Sequence, residues 1–372
     1  MSKINDLIKE MCPNGVEFKK LEDCCNILDN KRKPISKGIR KMGEYPYYGA
    51  NGIQDYISDY IFDGKYVLVG EDGSVQTPNG TPIVNWAIGK IWVNNHAHII
   101  EEIDGVSLRY LYHYLQIVDV KDLIHGNIPK LNQSNFRNIK IAVPPLEVQE
   151  EIVKILDKFG ELEAELEAEL EARKSQYEFW RGQMFKQNEN CKISDLYTRV
   201  KGTPITAGKM KEIEDPTGKI RIFAGGQTAV NANHEDIPKA NIIDYPCVIV
   251  QSRGLIDFVY YDKPFTFKNE MWAYTCNNQV TVKYLYYYLK NNVNYFREIG
   301  AQMGSMPQIS LPVTEKFEMY LPSLEEQKKI VNVLDKFEEL INNISIGLPT
   351  EMELRRQQYE YYRNKLLSFE EL

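Results

Sequence analysis

The sequence predicts a mixed α and β fold in which two α/β domains are separated by two long helices that pack as an antiparallel coiled coil. Two observations predict it. Residues 144–159, PPLEVQEEIVKILDKF, return 178 positions later as PSLEEQKKIVNVLDKF at 322–337, with ten of the sixteen residues identical. Most of the remaining chain consists of short β-type runs separated by turn residues. The chain therefore reads as a tandem duplication with a pseudo-two-fold axis, in the order variable block, shared segment, variable block, shared segment.

The first block, residues 1–143, is predicted to be an α/β domain with many short strands. Runs such as KYVLVG at 65–70 and KIWVNNHAHII at 90–100 are rich in β-branched and aromatic residues and lie beside Gly, Asn or Pro. A short helix is predicted at SLRYLYHYL, where tyrosines recur at near-helical spacing. We interpret these tyrosines as core or interface residues, and the alternative is a platform on which bases stack.

The first shared segment, residues 144–186, is predicted to be one long helix. Pro144 and Pro145 mark the end of a strand, and the helix begins after them. The stretch LEAELEAELEA at 162–172 repeats a tetrapeptide of strong helix formers. Apolar residues that recur every three or four positions form the stripe predicted to pair with the other helix: Ile152, Leu156, Phe159, Leu162 and Leu166.

The second block, residues 187–321, and the second shared segment, residues 322–372, repeat this order. NIPKLNQSNFRNIKIAVPP lies over SMPQISLPVTEKFEMYLPS, and RKSQYEFWR at 173–181 lies over RRQQYEYYR at 355–363. Gly347 and Pro349 are expected to bend or interrupt the second helix. Its apolar stripe is predicted at four positions: Ile330, Leu334, Phe337 and Ile341.

Each apolar stripe needs a partner, and the partner predicted for each shared helix is the other copy. The alternative is that each helix packs only on its own block. Either arrangement uses the stripe, so the sequence alone leaves both open.

Composition limits the class of protein. No run of eighteen apolar residues exists, so no membrane span is expected. The N-terminal stretch does not resemble a secretion signal, and the six scattered cysteines include no CxxC pair, so neither a disulfide framework nor a zinc site is indicated. We expect a cytoplasmic protein.

The net charge of −7 is concentrated in the two shared segments. Residues 144–186 hold six basic and eleven acidic side chains, and residues 322–372 hold seven and ten. The two blocks are nearly balanced, with seventeen basic and seventeen acidic side chains in the first and fifteen and fourteen in the second. Locally positive faces on the blocks are therefore compatible with the acidic total.

Motifs for catalysis are missing from the sequence. It contains neither a GxxxxGK[ST] phosphate loop nor HExxH. VPPLE at 143–147 has two prolines but lacks the flanks of the Asn/Asp-Pro-Pro-aromatic motif that amino-methyltransferases use. His96 and His98 form an HxH pair without a third ligand at a plausible spacing. We therefore predict neither a catalytic residue nor a metal site.

Each block begins with a basic, Gly-containing loop, NKRKPISKGIRK at 30–41 and RVKGTPITAGKMK at 199–211. Their recurrence at matching positions predicts contact with phosphates of DNA, and a solvated surface loop is the alternative. The cationic candidates, with one further arginine in the second block, are Lys31, Arg32, Lys33, Lys37, Arg40, Lys41, Arg199, Lys201, Lys209, Lys211 and Arg221. Candidate residues for reading base edges are selected by residue type and loop position alone, and they are Asn51, Gln54, Asn94, Asn95, His96, Gln227, Arg253 and Asn269. The alternative for each is an ordinary structural role in a turn.

These features together resemble the specificity subunit of type I restriction–modification systems over essentially the whole chain. The resemblance rests on IAVPPLEVQEEIVKILDKF, its second copy MYLPSLEEQKKIVNVLDKF, and the phrases YPYYGANG and WVNNHAHII. The second block departs from these phrases, because RIFAGGQ replaces YPYYGANG and KNEMWAY stands where NNHAHII does.

The resemblance implies that each block is a target-recognition domain for one half of a split, asymmetric DNA site and that this chain is not itself an enzyme. The implied partners are double-stranded DNA, two modification subunits and restriction subunits that supply a motor and a nuclease. The implied cofactor, S-adenosylmethionine, belongs to the adenine-methylating modification subunit, so none is expected in this chain. Two alternatives stay open: a specificity subunit for a type II split-site nuclease–methyltransferase, and a coiled-coil interaction scaffold without a DNA role.

Overall fold

A computed structural model of the chain describes residues 2–73, 75–124, 128–186, 191–237, 241–302, 306–342 and 347–372. The chain forms two compact units. Unit 1 comprises residues 1–167 and 351–372, and unit 2 comprises residues 168–350. Each unit therefore contains one variable block together with parts of both shared segments. Within the described ranges, no helix is both long enough and apolar enough to cross a membrane.

The described secondary structure is mixed, with long helices confined to the shared segments. The helices are α1 (Ser2–Met11), α2 (Leu108–Leu115), α3 (Gln133–Arg137), α4 (Leu146–Met184), α5 (Ile193–Leu196), α6 (Ala207–Glu212), α7 (Gln279–Asn291), α8 (Val293–Ala301), α9 (Leu311–Glu315), α10 (Leu324–Asn342) and α11 (Leu348–Leu366). The strands are β1 (Glu17–Lys20), β2 (Asn26–Ile27), β3 (Met42–Gly49), β4 (Gly52–Ile57), β5 (Phe62–Gly70), β6 (Val84–Val93), β7 (Ala97–Glu101), β8 (Lys140–Val143), β9 (Cys191–Lys192), β10 (Thr198–Lys201), β11 (Ile220–Phe223), β12 (Ala229–Ala232), β13 (Cys247–Gln251), β14 (Asp257–Tyr261), β15 (Phe265–Phe267), β16 (Trp272–Thr275) and β17 (Glu318–Met319).

Unit 1 is built on one six-stranded sheet in the order β2-β7-β5-β6-β3-β4. Its neighbours are antiparallel except β3 and β6, which run parallel with Tyr48 opposite Val93. Separately, β1 pairs with β8 and so closes the block where the chain enters α4. The parallel pair matters for the site because it brings the turn after β3 beside the turn after β6.

Unit 2 repeats this plan with two smaller sheets, β10-β16-β13-β14 and β12-β11-β15. β11 and β12 form a hairpin. As in unit 1, the first strand of this hairpin has a parallel neighbour: β11 runs parallel to β15, with Phe223 opposite Phe267. β9 pairs with β17 where the chain approaches α10. The recurrence of the flanking strand pair and of the parallel pair confirms the tandem duplication that the sequence predicted.

The tyrosine-rich helices α2 and α7 are core elements. Tyr110 and Tyr284 are fully buried, and each donates its hydroxyl hydrogen to a backbone oxygen near the end of its block. The acceptors are Ala142 (2.9 Å) and Tyr320 (2.8 Å). The prediction that these tyrosines pack in the core is confirmed, since a stacking platform would have to be exposed.

A buried glutamine fixes the start of each shared helix. Gln149 donates through Nε2 to the carbonyl of Pro144 (2.8 Å) and accepts through Oε1 from the backbone N–H of Ser107 (2.9 Å). Gln327 repeats this arrangement with the carbonyl of Pro322 (2.8 Å) and the hydroxyl of Thr281 (2.8 Å). Because both amides are buried and hydrogen-bonded, they fix where the shared helix meets the tyrosine-rich helix of its block.

An aspartate two turns further along makes a second attachment. Asp157 accepts hydrogen bonds from Arg109 (2.8 Å) and His113 (2.7 Å), both on α2. Burial acts to raise the pKa of Asp157, but the bonds and charges of His113 and Arg109 outweigh it and lower that pKa. Its counterpart, Asp335, is bonded to two residues of α7: Lys283 (2.8 Å) and Tyr287 (2.5 Å).

Aromatic contacts join the two shared segments inside each unit. In unit 1 the ring of Phe159 lies 6.1 Å from that of Tyr359, and in unit 2 the ring of Tyr177 lies 6.1 Å from that of Phe337. As α4 advances from Phe159 to Tyr177, its partners move backwards along the chain, which is the order of an antiparallel pair. The predicted antiparallel pairing is therefore confirmed.

The residues of the two predicted apolar stripes take part either in the core of their own unit or in pairing between the shared segments. Four of its residues are buried in the cores of their own units: Ile152, Leu156, Ile330 and Leu334. Ile341 is also buried, and the rest of the stripe is half-buried: Phe159, Leu162, Leu166 and Phe337. Packing on the helix's own block, which was the alternative, thus occurs together with helix pairing.

The second shared segment is interrupted as predicted. α10 ends at Asn342, α11 begins at Leu348, and Gly347 lies outside both helices. Pro349 stands in the first turn of α11, where its missing N–H breaks no helical hydrogen bond.

Replacing Gln149 with alanine should lower the free energy of unfolding by about 1–3 kcal/mol, because it leaves the buried N–H of Ser107 and the carbonyl of Pro144 without partners. Urea unfolding of the full chain measures this change. Glu150→Ala, on the exposed side of the same helix, is the matched control and should change stability by less than about 0.5 kcal/mol. Equal effects of the two substitutions would contradict the role of the glutamine.

Candidate nucleic-acid interface

Four segments that are distant in sequence converge in unit 1, and we name them turn cluster 1. They are the basic loop 30–41, the turn 49–52 between β3 and β4, the turn 71–73 after β5 and the turn 94–96 between β6 and β7. The backbone hydrogen bonds that hold them together are Lys33 N to Val93 O (3.2 Å), Asn94 N to Tyr48 O (3.1 Å) and Glu71 N to His96 O (2.8 Å). The end of β6 is therefore the point where these segments meet.

The corresponding segments converge in unit 2, and we name them turn cluster 2. They are the basic loop 199–211, the turn 224–228 between β11 and β12, the turn 252–254 after β13 and the turn 268–270 between β15 and β16. Its backbone hydrogen bonds are Thr203 N to Phe267 O (2.7 Å), Lys268 N to Phe223 O (3.0 Å) and Gly226 N to Arg253 O (3.1 Å). The first two bonds match those of turn cluster 1 position for position, so the duplication extends to how the turns are held.

Residues from all four segments of turn cluster 2 line one cleft of about 410 Å³. Lys211 and Arg253 contribute its positive charges, Lys268 is paired with Glu270 (2.7 Å) in the same lining, and Gly225 and Gly226 form part of the wall. A side chain added at either glycine would meet nothing within 4 Å. A ligand can therefore approach the backbone closely here.

The clusters bring together most of the candidates that sequence position selected. The exposed ones in cluster 1 are Lys31, Lys33, Lys37, Lys41, Asn51, Asn95 and His96, and Gln54 is exposed on the adjoining strand β4. Those in cluster 2 are Arg199, Lys201, Lys211, Gln227, Arg253 and Asn269. Lys209 is half-buried and paired with Glu212 (2.6 Å), and Arg221 is half-buried on β11, where it donates to Asn231 (3.0 Å). Exposed cations beside exposed amides are the side-chain types that contact phosphates and base edges.

Arg32 was predicted to contact phosphate, and the structure corrects this. Its side chain is only 11% exposed and bonds to Glu71 (2.6 Å) and to the carbonyl of Ala97 (2.6 Å), with Asp29 at 3.4 Å. Because this guanidinium is nearly buried and bonded to internal acceptors, it is not positioned to contact a phosphate. Arg32 instead ties the basic loop to the turn after β5.

Arg40 and Asn94 are corrected for similar reasons. Arg40 packs 4.0 Å from the centre of the Tyr47 ring, donates to the carbonyl of Ile35 (2.9 Å) and lies 3.4 Å from Asp55. Asn94 is buried, and its Oδ1 accepts the backbone N–H of His96 (2.8 Å). Both side chains shape cluster 1 from inside, and Asn94 has the turn role that was the alternative.

The two histidines of the HxH pair lie in different surroundings. His96 is exposed, and its Nδ1 pairs with Asp72. His98 is fully buried, with Nδ1 at 2.6 Å from Asp29 and Nε2 at 2.8 Å from the carbonyl of Leu131. The pair therefore does not act as one ligand set.

Asp29, Glu71 and His98 place three potential metal-ligating atoms within 4.8 Å of one another. Arg32 and Lys130 balance the two carboxylates, and both nitrogens of His98 already face acceptors. Burial acts to raise the pKa of Asp29, but His98 and Arg32 outweigh it and lower that pKa. The stabilisation from ionised Asp29 is thus present above the usual carboxyl pKa and is lost as the pH falls through its lower, folded-state value. This chemistry fits an internal ion network that sequence spacing could not reveal.

The clusters differ in charge at one equivalent turn. In cluster 1 this turn carries Glu71 and Asp72, and in cluster 2 it carries Ser252 and Arg253. The same backbone plan thus presents an acidic group on one unit and a cation on the other. Base edges that offer opposite hydrogen-bonding groups can be distinguished in this way.

Comparison with known proteins identifies relatives over almost the whole length. A family model described as the type I restriction modification DNA specificity domain matches twice, at residues 13–172 and 185–354. A putative type I restriction enzyme specificity subunit from Haemophilus influenzae is 34% identical over 95% of this chain and 96% of its own. A type I specificity subunit from Escherichia coli is 32% identical over 70% of this chain and 71% of its own.

Solved structures show the same fold. The type I restriction–modification S subunit of M. genitalium superimposes with a TM-score of 0.63 at 15% identity, covering 95% of this chain and 97% of that one. A chain from a study of complex assembly in the type I system superimposes with a TM-score of 0.57 at 12% identity, covering 95% and 98%. The two tandem matches and these two neighbours agree with the fold class that the sequence predicted.

Arg32→Ala and Lys33→Ala should separate the structural cation from the exposed one. Arg32→Ala leaves Asp29 with His98 and Glu71 with Lys130 but removes the guanidinium between the two carboxylates, so it should lower the free energy of unfolding by about 1–3 kcal/mol. Lys33→Ala removes an exposed charge, so it should change stability by less than about 0.5 kcal/mol while weakening DNA binding. Thermal unfolding and salt-dependent gel shifts test both statements. A stable Arg32→Ala protein with selectively weakened DNA binding would restore the phosphate interpretation.

Proposed function

The chain belongs to the family of type I restriction–modification DNA specificity proteins, and from this membership we propose that it reads a bipartite DNA site, with unit 1 on one half-site and unit 2 on the other. The observation that carries the proposal is the pair of turn clusters. They share a hydrogen-bonded backbone plan, and they differ in the side chains that they expose. A common frame with unlike side chains is what two readers of unlike half-sites require.

The proposed partners are double-stranded DNA, two modification subunits and restriction subunits. Support comes from the names of the relatives, which are specificity subunits of restriction enzymes, and from the structural neighbour whose study concerns complex assembly. We assign methyl transfer from S-adenosylmethionine to the modification subunits. This chain then supplies binding and position, and the reaction takes place on its partners.

Exchange of one block tests the proposal directly. Residues 1–143 are replaced with the matching block of a relative of different specificity, and the chimera is expressed with its modification subunit in a host that lacks other adenine methylation. Sequencing of methylated adenines should show a new first half-site and an unchanged second half-site, because each cluster is built within one unit. Exchange of residues 187–321 is the reciprocal control. A chimera that changes both half-sites, or neither, would refute independent reading.

The salt dependence of DNA binding distinguishes a DNA-recognition subunit from an interaction scaffold without a DNA role. A complex held by several phosphate contacts should lose about 10³–10⁵ in affinity between 50 and 200 mM salt. Gel shifts with the assembled modification complex measure this, and salt-independent binding or none would favour the scaffold.

Deletion of residues 166–169 should shorten the unspecified gap between the half-sites by one or two base pairs and leave both half-sites unchanged. This LEAE unit lies within α4, where four residues correspond to about 6 Å of helix, and a base pair corresponds to about 3.4 Å of duplex. Methylation mapping of the deletion variant reads gap and half-sites together. Altered half-site sequences would count against a spacing role for this helix.

A further inference from the structure

The turn after β5 in unit 1 has a distinctive frame. Gly73 has a φ of +77° and donates its N–H to the carbonyl of Pro129 (3.0 Å). The carbonyl of Glu71 accepts the N–H of Leu131 (2.8 Å). Asp72, between them, therefore has its backbone fixed on both sides.

The turn after β13 in unit 2 repeats this frame. Gly254 has a φ of +73° and donates its N–H to the carbonyl of Pro307 (2.9 Å), and the carbonyl of Ser252 accepts the N–H of Ile309 (2.9 Å). Arg253 stands where Asp72 stands in unit 1. In addition, its own carbonyl accepts the N–H of Gly226 (3.1 Å), so its Cα is held from a third direction.

The side chains on this common frame are engaged differently. Asp72 pairs with His96 within cluster 1. The Arg253 side chain has no hydrogen bond or ion pair to any residue in the seven described ranges, although it lines the cleft of cluster 2. A fixed Cα with an unengaged guanidinium offers a directed donor fork whose reach is set by the fold rather than by a flexible loop.

The surroundings of Arg253 favour a base edge over a phosphate as its target. Gly225 and Gly226 leave the adjoining wall without side chains, so a groove edge can come close to the arginine. Lys211 lines the same cleft and supplies positive charge for a phosphate, whereas Lys268 is paired there with Glu270 (2.7 Å). A guanidinium fork matches O6 and N7 of guanine, which are the two adjacent acceptors on its major-groove edge.

We propose that Arg253 is the specificity-determining residue of unit 2 for one guanine in its half-site, which it recognises through O6 and N7. The inference rests on the proposed function and narrows it to one residue and one base. The inversion of charge at the equivalent position then gives the two units unlike preferences. The carboxylate of Asp72, held beside His96, suits an amino group on a base edge rather than guanine acceptors.

Arg253→Lys and Arg253→Gln test the proposal in the complex with the modification subunit. Glutamine loses both the charge and the guanidinium fork, so methylation should become tolerant of other bases at one guanine position of the unit 2 half-site, and lysine, which keeps the charge without the planar fork, should relax the same position less. Discrimination there should fall by about 5- to 150-fold. Block exchange identifies which half-site belongs to unit 2. The half-site of unit 1, read by the same molecules, should stay unchanged and so reports that each variant is folded and assembled.

Lys211→Ala is the control for a phosphate contact, because Lys211 lines the same cleft. It should weaken binding equally for all sequences and reduce the salt slope by about 0.9. If Arg253→Gln behaves in this way and Arg253→Lys binds like the wild type, with the unit 2 half-site intact in both, Arg253 contacts phosphate and the inference is wrong. A wild-type unit 2 half-site without guanine would also overturn it. Failure of the wild-type complex to methylate a bipartite site would instead refute the proposed function itself.

Discussion

A single peptide group at the end of one strand constrains the recognition surface of each unit. In unit 1 the carbonyl of Val93 accepts from the basic loop, and the N–H of Asn94 donates to the end of β3. In unit 2 the carbonyl of Phe267 and the N–H of Lys268 do the same. Because backbone groups make these bonds, the side chains on the turns are free to differ while the turns stay in place. This separation of frame from readout allows one fold to serve two different half-sites.

The shared segments lie outside the two turn clusters. Each attaches to its own block through a buried glutamine and an aspartate, and each contributes to an aromatic contact with the other segment. Arg363 lies 5.1 Å from the centre of the Tyr359 ring, and Arg181 lies 5.0 Å from that of Tyr177. The repeated motif is therefore explained by docking and pairing geometry. Gln149 and Asp157 recur as Gln327 and Asp335 because both shared helices contact a tyrosine-rich helix in the same way.

The sequence predicted the secondary-structure elements well, but it did not predict which side chains contact one another in the folded chain. A repeat of ten identities in sixteen residues is enough to show the duplication, the long helices and the break near Gly347. Arg32 and Lys33 are neighbours in one basic loop, and nothing local distinguishes the buried cation from the exposed one. The difference arises from Glu71, which is 39 residues away and becomes adjacent only when the sheet forms. Likewise, the spacing of His96 and His98 indicated a pair, whereas His96 lies in the turn held by Asn94 and His98 lies inside β7, where it is buried.

Hydrogen exchange of the assembled complex tests most directly whether both units read DNA through these turns. With cognate duplex, amides at 94–96 and 268–270 should become protected together, and scrambling one half-site should remove protection from one unit only. Protection that spares both turn clusters, or that is lost from both units when one half-site is scrambled, would contradict two independent readers on a common frame.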